Sequence, residues 1–187
     1  MYNDDTLTHT EDDKMARDIW VISDTHFNHE LILTFKDYND KPVRPFASVA
    51  EMNECMLDNW ADTVKPGDTV IHCGDVLFGD HKVDWLTANF AKLPGKKRLA
   101  LGNHDNVKFL APFFKDIQLW ITMDGFVFSH TPLHSMILAE TKRWGDVPVV
   151  NVHGHIHSNP SPEGPYKCAC VEQINYTPIN LEELKNG

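Results

Sequence analysis

The chain has 187 residues, the length of a single domain that can bury a sizeable core. Its residues are 42% hydrophobic and 24% charged, as in ordinary globular proteins, and no apolar run approaches the ~20 residues that a membrane-spanning helix needs. The formal net charge is −10, and Lys96-Lys97-Arg98 is the one basic cluster, which argues against tight binding of long nucleic acid.

The beginning of the chain is acidic and polar. Five acidic side chains stand within the first thirteen residues, at Asp4, Asp5, Glu11, Asp12 and Asp13. A secretion signal would be basic and then apolar, so we expect a cytoplasmic protein (in the host cytoplasm if a phage encodes it) that does not associate with membranes. We expect residues 1–15 to form a flexible acidic tail and residues 16–187 to form one domain.

The four cysteines, at positions 55, 73, 168 and 170, show no disulfide framework. Alternation along a strand would point Cys168 and Cys170 to the same face, but a zinc site would need a second such pair, which the sequence lacks. We expect reduced, partly buried thiols.

The first half of the chain predicts alternating strands and helices. Short apolar runs rich in β-branched and aromatic residues predict strands, and apolar residues at helical spacing predict helices. The strands are predicted at residues 19–22, 69–73 and 98–101. The helices are predicted at residues 49–64, with Ser48 as the N-cap, and at residues 83–93, ended by Pro94-Gly95.

The second half predicts mostly strands. Residues 117–123 and 126–129 predict a hairpin that turns at Asp124-Gly125. Further strands are predicted at residues 147–152 and 167–173, and the proline-rich stretch 158–165 predicts a surface loop. The pattern indicates an α/β fold in which helices cover a mixed sheet.

Five polar clusters each follow a predicted strand at its C-terminal end. They are Asp24-Thr25-His26, Gly74-Asp75, Gly102-Asn103-His104-Asp105, Ser129-His130 and Gly154-His155-Ile156-His157. In open α/β sheets the ligands bind at this edge, because the loops that leave neighbouring strands converge there. Each cluster alone has an ordinary explanation: a Gly-Asp pair can be a plain turn, and residues 103–105 could cap a helix over residues 106–114. Their joint placement at five strand ends predicts a functional site.

The side chains of these clusters are typical metal ligands. Carboxylate, imidazole and amide groups without a thiolate favour Mn, Fe or Zn over a structural cysteine–zinc site. Seven candidate ligands are too many for one ion: Asp24, His26, Asp75, Asn103, His130, His155 and His157. Two ions that share one bridging carboxylate would use all seven, and such a pair stabilises the attacking and leaving oxygens of an in-line phosphoryl displacement.

In their order along the chain these motifs resemble those of the calcineurin-like metallophosphoesterases. That family carries D-x-H, G-D, G-N-H-[D/E], H and G-H-x-H, and the present chain has DTH, GDV, GNHD, SH and GHIH between about Ile19 and His157. Residues 175–179 also look like the end of small bacterial and phage members. The resemblance implies a four-layer α/β/β/α sandwich of mixed sheets with the metals at its edge.

The resemblance also implies a role for each site residue. One metal would be held by Asp24, His26, Asp75 and His157, and the other by the bridging Asp75 together with Asn103, His130 and His155. His104 would act as general acid or orient the phosphate, with Asp105 holding its ring. The cofactors would be two divalent ions, Mn first, with Fe, Zn, Ni and Mg as alternatives.

The expected function is hydrolysis of phosphoester bonds by in-line attack of a metal-bridging hydroxide, on a small nucleotide or another phosphodiester. One alternative is a nuclease or nucleic-acid end-processing enzyme, and another is a non-catalytic binding or scaffold module on the same fold. The sequence leaves the oligomeric state open.

Four residues near the motifs keep open roles. His29 could face the substrate, cap a helix or point to solvent. Arg143 and Trp144 belong to a segment that could overhang the site, where a cation and an aromatic ring would suit phosphate and base recognition. The role of His134 is equally open.

Overall fold

The computed structural model describes residues 17–37, 39–79, 82–141 and 149–186. Within these ranges it contains nine strands and five helices. The strands are β1 Ile19–Ile22, β2 Thr69–His72, β3 Lys96–Ala100, β4 Asp116–Gln118, β5 Trp120–Met123, β6 Phe126–Ser129, β7 Val150–His153, β8 Tyr166–Cys168 and β9 Ile179–Asn180. The helices are α1 Val49–Thr63, α2 Lys82–Ala88, α3 Val107–Leu110, α4 Ser135–Thr141 and α5 Leu181–Asn186. Short 3-10 segments lie at Glu30–Thr34, Phe90–Lys92 and Ala111–Phe113. The predicted tail, residues 1–15, falls outside the described residues.

The strands form two mixed sheets. The first has the order β4-β3-β2-β1-β9, in which only β9 runs antiparallel to its neighbour. The second has the order β5-β6-β7-β8, in which β5 and β6 form an antiparallel hairpin and β6, β7 and β8 are parallel. The parallel strands β1, β2, β3, β6 and β7 therefore end at the predicted polar clusters.

Alternation along β1 separates two hydrophobic cores. Ile22 packs with the helices on the outer face of the first sheet, whereas Val21 packs between the two sheets. The helix-side core is supplied by buried residues of α1 and α2, among them Met56, Trp60 and Leu86. The core between the sheets contains side chains from both sheets and from α5, including Ile71, Phe128, Val152 and Leu184.

The segment that leads into α4 covers the outer face of the second sheet. Asn151 on β7 is fully buried there, and its Oδ1 accepts the backbone N–H of Leu133 at 2.7 Å. The Asn151 amide donates to the Val127 carbonyl at 3.0 Å, and Leu138 of α4 is buried. The molecule is thus the expected mixed α/β sandwich, with two sheets between helical layers. No helix among the described residues has the length and apolarity to cross a bilayer.

Helix α1 confirms its sequence prediction. The Ser48 hydroxyl accepts the Glu51 backbone N–H at 3.2 Å, while the Glu51 carboxylate accepts the Ala47 N–H at 2.8 Å. The first bond satisfies a donor that the first turn cannot pair within the helix, and the second pairs the N–H of the residue before the N-cap. Buried residues at positions 52, 56 and 60 form the stripe that faces the first sheet.

At two places the sequence predicts one continuous strand, but the chain crosses between the sheets instead. Residues 117–123 are divided into β4 in the first sheet and β5 in the second, with the exposed Leu119 between them. The predicted strand 167–173 ends early, at Cys168, because Cys170 then pairs with Ser23 of the first sheet. Strand β9 and helix α5 follow it.

Two further predictions are wrong in their extent, and one alternative, a helix cap formed by residues 103–105, is not found. The predicted helix 83–93 is shorter, α2 followed by a 3-10 turn, because the chain turns at Asn89 before Pro94. Strand β3 begins two residues before its predicted start. The helix after the Asn-His-Asp cluster is capped by Asn106, whose side chain accepts the Lys108 N–H at 3.0 Å, and not by residues 103–105.

Candidate metal centre

Backbone hydrogen bonds tie the strand-end loops together. The Asp24 N–H donates to the Gly74 carbonyl at 3.0 Å, and the His26 N–H donates to the Asp75 carbonyl at 3.0 Å. In the second sheet, the Gly154 N–H donates to the His130 carbonyl at 2.8 Å. The loops after β1 and β2 are therefore fixed to each other, and so are the loops after β6 and β7, before any side chain is considered.

Five of the seven predicted ligands have left-handed backbone conformations. Their φ values are 57° at Asp24, 45° at His26, 56° at Asp75, 71° at His155 and 51° at His157. Residues other than glycine rarely adopt this left-handed region of φ and ψ, although Asp and His tolerate it better than most. Such conformations concentrate where surrounding structure holds them for a functional purpose. Here they turn successive side chains toward one place.

The two oxygens of Asp24 have different environments. Oδ2 accepts the Ser23 hydroxyl at 2.6 Å, the His155 backbone N–H at 2.8 Å and the Cys170 thiol at 3.4 Å. Oδ1 is buried and has no hydrogen-bond partner among the described residues. It lies 3.7 Å from His26 Nε2 and 4.0 Å from His157 Nε2. One oxygen therefore fixes the carboxylate, and the other is directed at the ring nitrogens.

Asp75 shows the same division. Its Oδ1 accepts the His104 backbone N–H at 2.9 Å. Its Oδ2 lies 3.5 Å from His26 Nε2 and 3.3 Å from His130 Nε2. Both ring nitrogens of His26 are buried without a hydrogen-bond partner within the described part of the chain. Asp75 thus lies between a histidine of the first sheet and a histidine of the second.

His130 carries the second group of ligand atoms. Its Nδ1 lies 2.9 Å from the Cys73 carbonyl, which can only accept, so Nδ1 is the protonated nitrogen. Nε2 faces Asn103 Oδ1 at 2.8 Å, His155 Nδ1 at 3.1 Å and the Asp75 carboxylate. A proton on Nε2 could form a hydrogen bond to one of these acceptors, whereas a cation bound among them could be coordinated by all of them.

Two charged residues behind His157 were not identified from the sequence. His157 Nδ1 lies 2.9 Å from Glu172 Oε1, and the same oxygen accepts Arg44 Nε at 2.8 Å. Arg44 Nη1 donates to the Thr25 carbonyl at 2.8 Å, and Nη2 donates to the Asp24 carbonyl. Neither residue belongs to a motif. For Glu172 the only signal in the sequence is its position as a single charge at the end of the apolar run 168–171.

The donor set fits divalent cations. Asp24, His26 and His157 can each offer one ligand atom within 4.8 Å of the others, and so can Asp24, Asp75 and His130. Asn103 and His155 contact His130 directly. The structure therefore brings all seven predicted ligands together at one edge of the sandwich. Asp24 Oδ1 and His26 Nε2, which are buried without partners among the described residues, are the atoms that a metal would satisfy.

Burial and the histidine rings act oppositely on the two carboxylates. Burial alone would raise the pKa of Asp24, but the neighbouring rings of His26, His130 and His157 hold it below its ordinary value. Burial would also raise the pKa of Asp75, but the His130 ring outweighs burial, so the pKa of Asp75 is lowered. Both carboxylates are therefore ionised at neutral pH, the state that binds cations.

Glycines are packed directly behind the ligands. A Cβ on Gly74 would lie 2.7 Å from His130 Nδ1, and one on Gly102 would clash with Asp75 Oδ1. A Cβ on Gly154 would clash with Asp24 Oδ2 and with Ser23. The glycine of each motif therefore has a physical purpose, because no side chain fits between its backbone and the ligand beside it.

His104 and Asp105 are placed differently from each other. The His104 side chain is exposed at the rim, with its ring 5.7 Å from that of His26 and 5.1 Å from that of Phe78. The expectation that Asp105 holds the His104 ring is not met. Its two oxygens accept backbone N–H groups instead, from Gly102 at 2.8 Å and from residues 75 and 76 at 2.9 Å each. Asp105 therefore fixes the loop that carries Asp75.

The residues with open roles are partly placed. The ring of His29 stacks on Phe78 at a centroid distance of 4.1 Å, and its Nδ1 is buried without a partner in the described ranges. His29 precedes the 3-10 segment Glu30–Thr34 but its side chain makes no capping hydrogen bond. Burial lowers its pKa to about 4, so it is neutral at pH 7. Arg143 and Trp144 lie outside the described residues, and His134 is exposed.

Comparison with known proteins agrees with this geometry. The chain is 33% identical over 175 residues to an uncharacterized protein of Methanocaldococcus jannaschii, covering 89% of this chain and 88% of that protein. It is 28% identical over 116 residues to the gene 66 protein of Mycobacterium phage L5, covering 59% of this chain and 49% of that one. A protein of unknown function from Aquifex aeolicus has a similar structure, with a TM-score of 0.71, 28% identity, and coverage of 91% of this chain and 99% of that one.

The family model for calcineurin-like phosphoesterases matches residues 17–187, a range that includes every motif described above. Hydrolysis of phosphoesters with the help of divalent metals is the activity typical of that family. The chain belongs to the calcineurin-like phosphoesterases.

Proposed function

We propose that this protein uses two divalent cations, with manganese as the first candidate, to hydrolyse a small phosphodiester such as a nucleotide. The observation that carries the proposal is the group of buried polar atoms without hydrogen-bond partners at the rim. Asp24 Oδ1 and both nitrogens of His26 are buried without partners among the described residues, and Asp75 Oδ2 lies between His26 and His130. Leaving such atoms unsatisfied is costly unless something positively charged binds among them.

Seven residues would hold the cations. One cation would be held by Asp24, His26, Asp75 and His157, and the other by Asp75, Asn103, His130 and His155. When bound, the pair generates a nucleophile from water at neutral pH and stabilises the charge of an in-line displacement. Asp75 is the shared ligand in this proposal, because its Oδ2 is nearly equidistant from histidines of the two sheets.

His104 is placed to act on the substrate. Its ring is exposed to solvent beside His26, and its backbone is held by the Asp75 carboxylate at 2.9 Å. The ring can therefore reach a phosphate at the centre, stabilise its charge or give a proton to the leaving oxygen. Replacing His104 by Ala should leave both cations bound and lower the rate most for esters with poor leaving groups.

A cavity beside His157 supports a small organic leaving group. It has a volume of about 280 Å³, and its lining includes Ile32, Phe35, Lys36 and Asn159. This is near the lower end of the ~300–1000 Å³ typical of small-molecule pockets. The exposed ring of Phe35 can stack on a base. Lys36 pairs with the exposed Asp40 at 2.8 Å and would exchange that partner for the anion of a substrate. The volume suits one nucleoside better than a strand of nucleic acid.

The central test is Asp75→Asn, measured as metal content by mass spectrometry and as hydrolysis of bis-p-nitrophenyl phosphate. We expect less than two bound ions per chain and loss of metal-dependent hydrolysis. The matched control is Asp68→Asn, because Asp68 is also buried but lies at the opposite end of β2, where it accepts from Trp20 and Lys65. Full metal content and activity in Asp75→Asn would refute the proposed site.

The substrate is tested with Phe35→Ala. We expect a larger rise in KM for purine nucleotide diesters than for bis-p-nitrophenyl phosphate, whose single aryl rings offer less stacking area than a purine base. Short single-stranded RNA and DNA are assayed in parallel at low salt. Faster cleavage of these strands than of single nucleotides would favour the nuclease alternative.

A further inference from the structure

We infer that Arg44 and Glu172 are positioning residues, which hold the His157 ring so that its Nε2 is the nitrogen available to a cation. The inference rests on the proposed function in one respect, namely that a cation is bound by His157. It concerns residues outside every motif of the site.

The first step is the location of the pair. The Arg44 side chain has 0% exposure and the Glu172 side chain 3%. Arg44 precedes α1, whereas Glu172 follows the segment in which Cys170 pairs with Ser23. The two residues are separated by 128 positions in sequence, yet their charged groups meet directly behind the loop that carries Asp24 and His26.

The second step is the geometry of Glu172. Its Oε1 lies 2.9 Å from His157 Nδ1 and 2.8 Å from Arg44 Nε. The Arg44 guanidinium neutralises this buried carboxylate at a distance of 2.8 Å, so the Glu172 oxygen that faces His157 accepts and does not donate. Nδ1 of His157 must then carry the proton. The lone pair is left on Nε2, which faces Asp24 Oδ1 at 4.0 Å.

Arg44 also holds the loop that carries Asp24 and His26. Its guanidinium donates to the carbonyls of Asp24 and Thr25, two residues of the first ligand loop. The same side chain therefore links that loop to the carboxylate that orients His157. Arg44 sets the position of Asp24 relative to His157, although it contacts no ligand side chain of the centre.

The fourth step is that fold stability alone does not explain a buried charge pair. Replacing both partners of such a pair by apolar side chains of similar size is often neutral for stability, whereas removing one partner is destabilising. By contrast, losing the carboxylate behind a metal-bound histidine typically weakens metal binding about 10- to 100-fold. A purely structural pair and a positioning pair thus predict different results for a double replacement.

The main experiment uses the full chain with Arg44→Met and Glu172→Met combined. Thermal unfolding of the metal-free protein is the control for the fold, and we expect a lower melting temperature because the Asp24 and Thr25 carbonyls lose their Arg44 donors. Titration calorimetry with Mn²⁺ should show one of the two binding events weakened about 10- to 100-fold. The control removes the Arg98–Asp116 pair of the first sheet, which is partly exposed and does not contact the metal ligands. This replacement should leave both Mn²⁺ binding events unchanged. Wild-type affinity at both sites in the double variant would overturn the inference.

A second variant covers the case in which the double replacement does not fold. Glu172→Gln keeps the size of the side chain and an acceptor oxygen but removes the charge that fixes the proton on Nδ1. Nitrogen-15 NMR of the histidine rings in chelator-treated protein should show His157 protonated at Nδ1 in wild type and a mixture of tautomers in Glu172→Gln. An unchanged His157 tautomer together with unchanged Mn²⁺ affinity would also overturn the inference.

The two failures can be told apart. If Asp75→Asn retains both ions, the proposed function itself is wrong. If Asp75→Asn loses metal while the Arg44 and Glu172 variants bind it as wild type does, only the positioning role is wrong.

Discussion

Gly154→Ala is expected to disable the metal centre by adding a single methyl group. The new Cβ would lie 2.9 Å from Ser23 Cβ and closer still to Ser23 Oγ and Asp24 Oδ2, whereas ordinary contacts begin at 3.4 Å. The Asp24 carboxylate or the loop after β7 must therefore retreat by roughly 1 Å. A shift of about 1 Å at a reacting centre can cost about 100-fold in rate, and overpacking of this kind costs about 1–3 kcal/mol in stability.

The assay for Gly154→Ala combines thermal unfolding, Mn²⁺ titration and hydrolysis of bis-p-nitrophenyl phosphate at saturating metal. We expect weaker Mn²⁺ binding and a rate about 100-fold below wild type. Gly67→Ala is the control, because the nearest atoms to its added Cβ belong to the Arg17 side chain at 4.0 Å. A Gly154→Ala protein with wild-type metal affinity and rate would show that Asp24 is not held where the reasoning requires it.

Three other predictions concern the surroundings of the centre. Asp105→Asn should lower stability by about 1–3 kcal/mol and reduce activity, because one amide oxygen cannot replace the two oxygens that accept three backbone N–H groups; unchanged unfolding by urea would contradict this. Burial lowers the pKa of His72 to about 3. Below about pH 6.5 the unfolded chain therefore binds a proton at His72 that the folded chain does not bind. As the pH falls from about 6.5 to 3, the free energy of unfolding should decrease by up to about 1.4 kcal/mol per pH unit. His72→Asn should flatten that part of the urea-unfolding profile, and an unchanged slope would refute the assignment. Chelation should lower the melting temperature, since an ion present at 100 times its Kd stabilises the folded state by about 2.7 kcal/mol; a melting temperature insensitive to chelator and to added Mn²⁺ would count against a resident metal.

The location of the site could be predicted because the candidate metal ligands directly follow the ends of predicted strands. Each run of apolar residues stops at a polar cluster, and strand order does not need to be known for the loops of parallel strands to share an edge. Helix α1 was predictable for a similar reason, since Ser48 and the spacing of Met52, Met56 and Trp60 are local signals. Local signals were enough for these features.

The crossings between sheets could not be predicted, because alternation does not say which sheet a residue joins. Leu119 separates β4 from β5 within one predicted strand, and Ala169 is fully buried between β8 and the Cys170 pairing. Arg44 and Glu172 escaped prediction for a related reason. A single charge far from any motif reads as surface, and only the fold shows that both side chains are buried against each other.

The left-handed ligands also bear on how the protein could be engineered. At Asp24, His26, Asp75, His155 and His157, glycine would adopt the observed backbone angle without the steric penalty that a side chain pays. A library selected for heat resistance alone, in the presence of a chelator, should therefore accumulate glycine first at His26, whose ring nitrogens make no hydrogen bond among the described residues. Each such gain would erase a ligand, so thermostability screens of this protein need a metal-dependent readout.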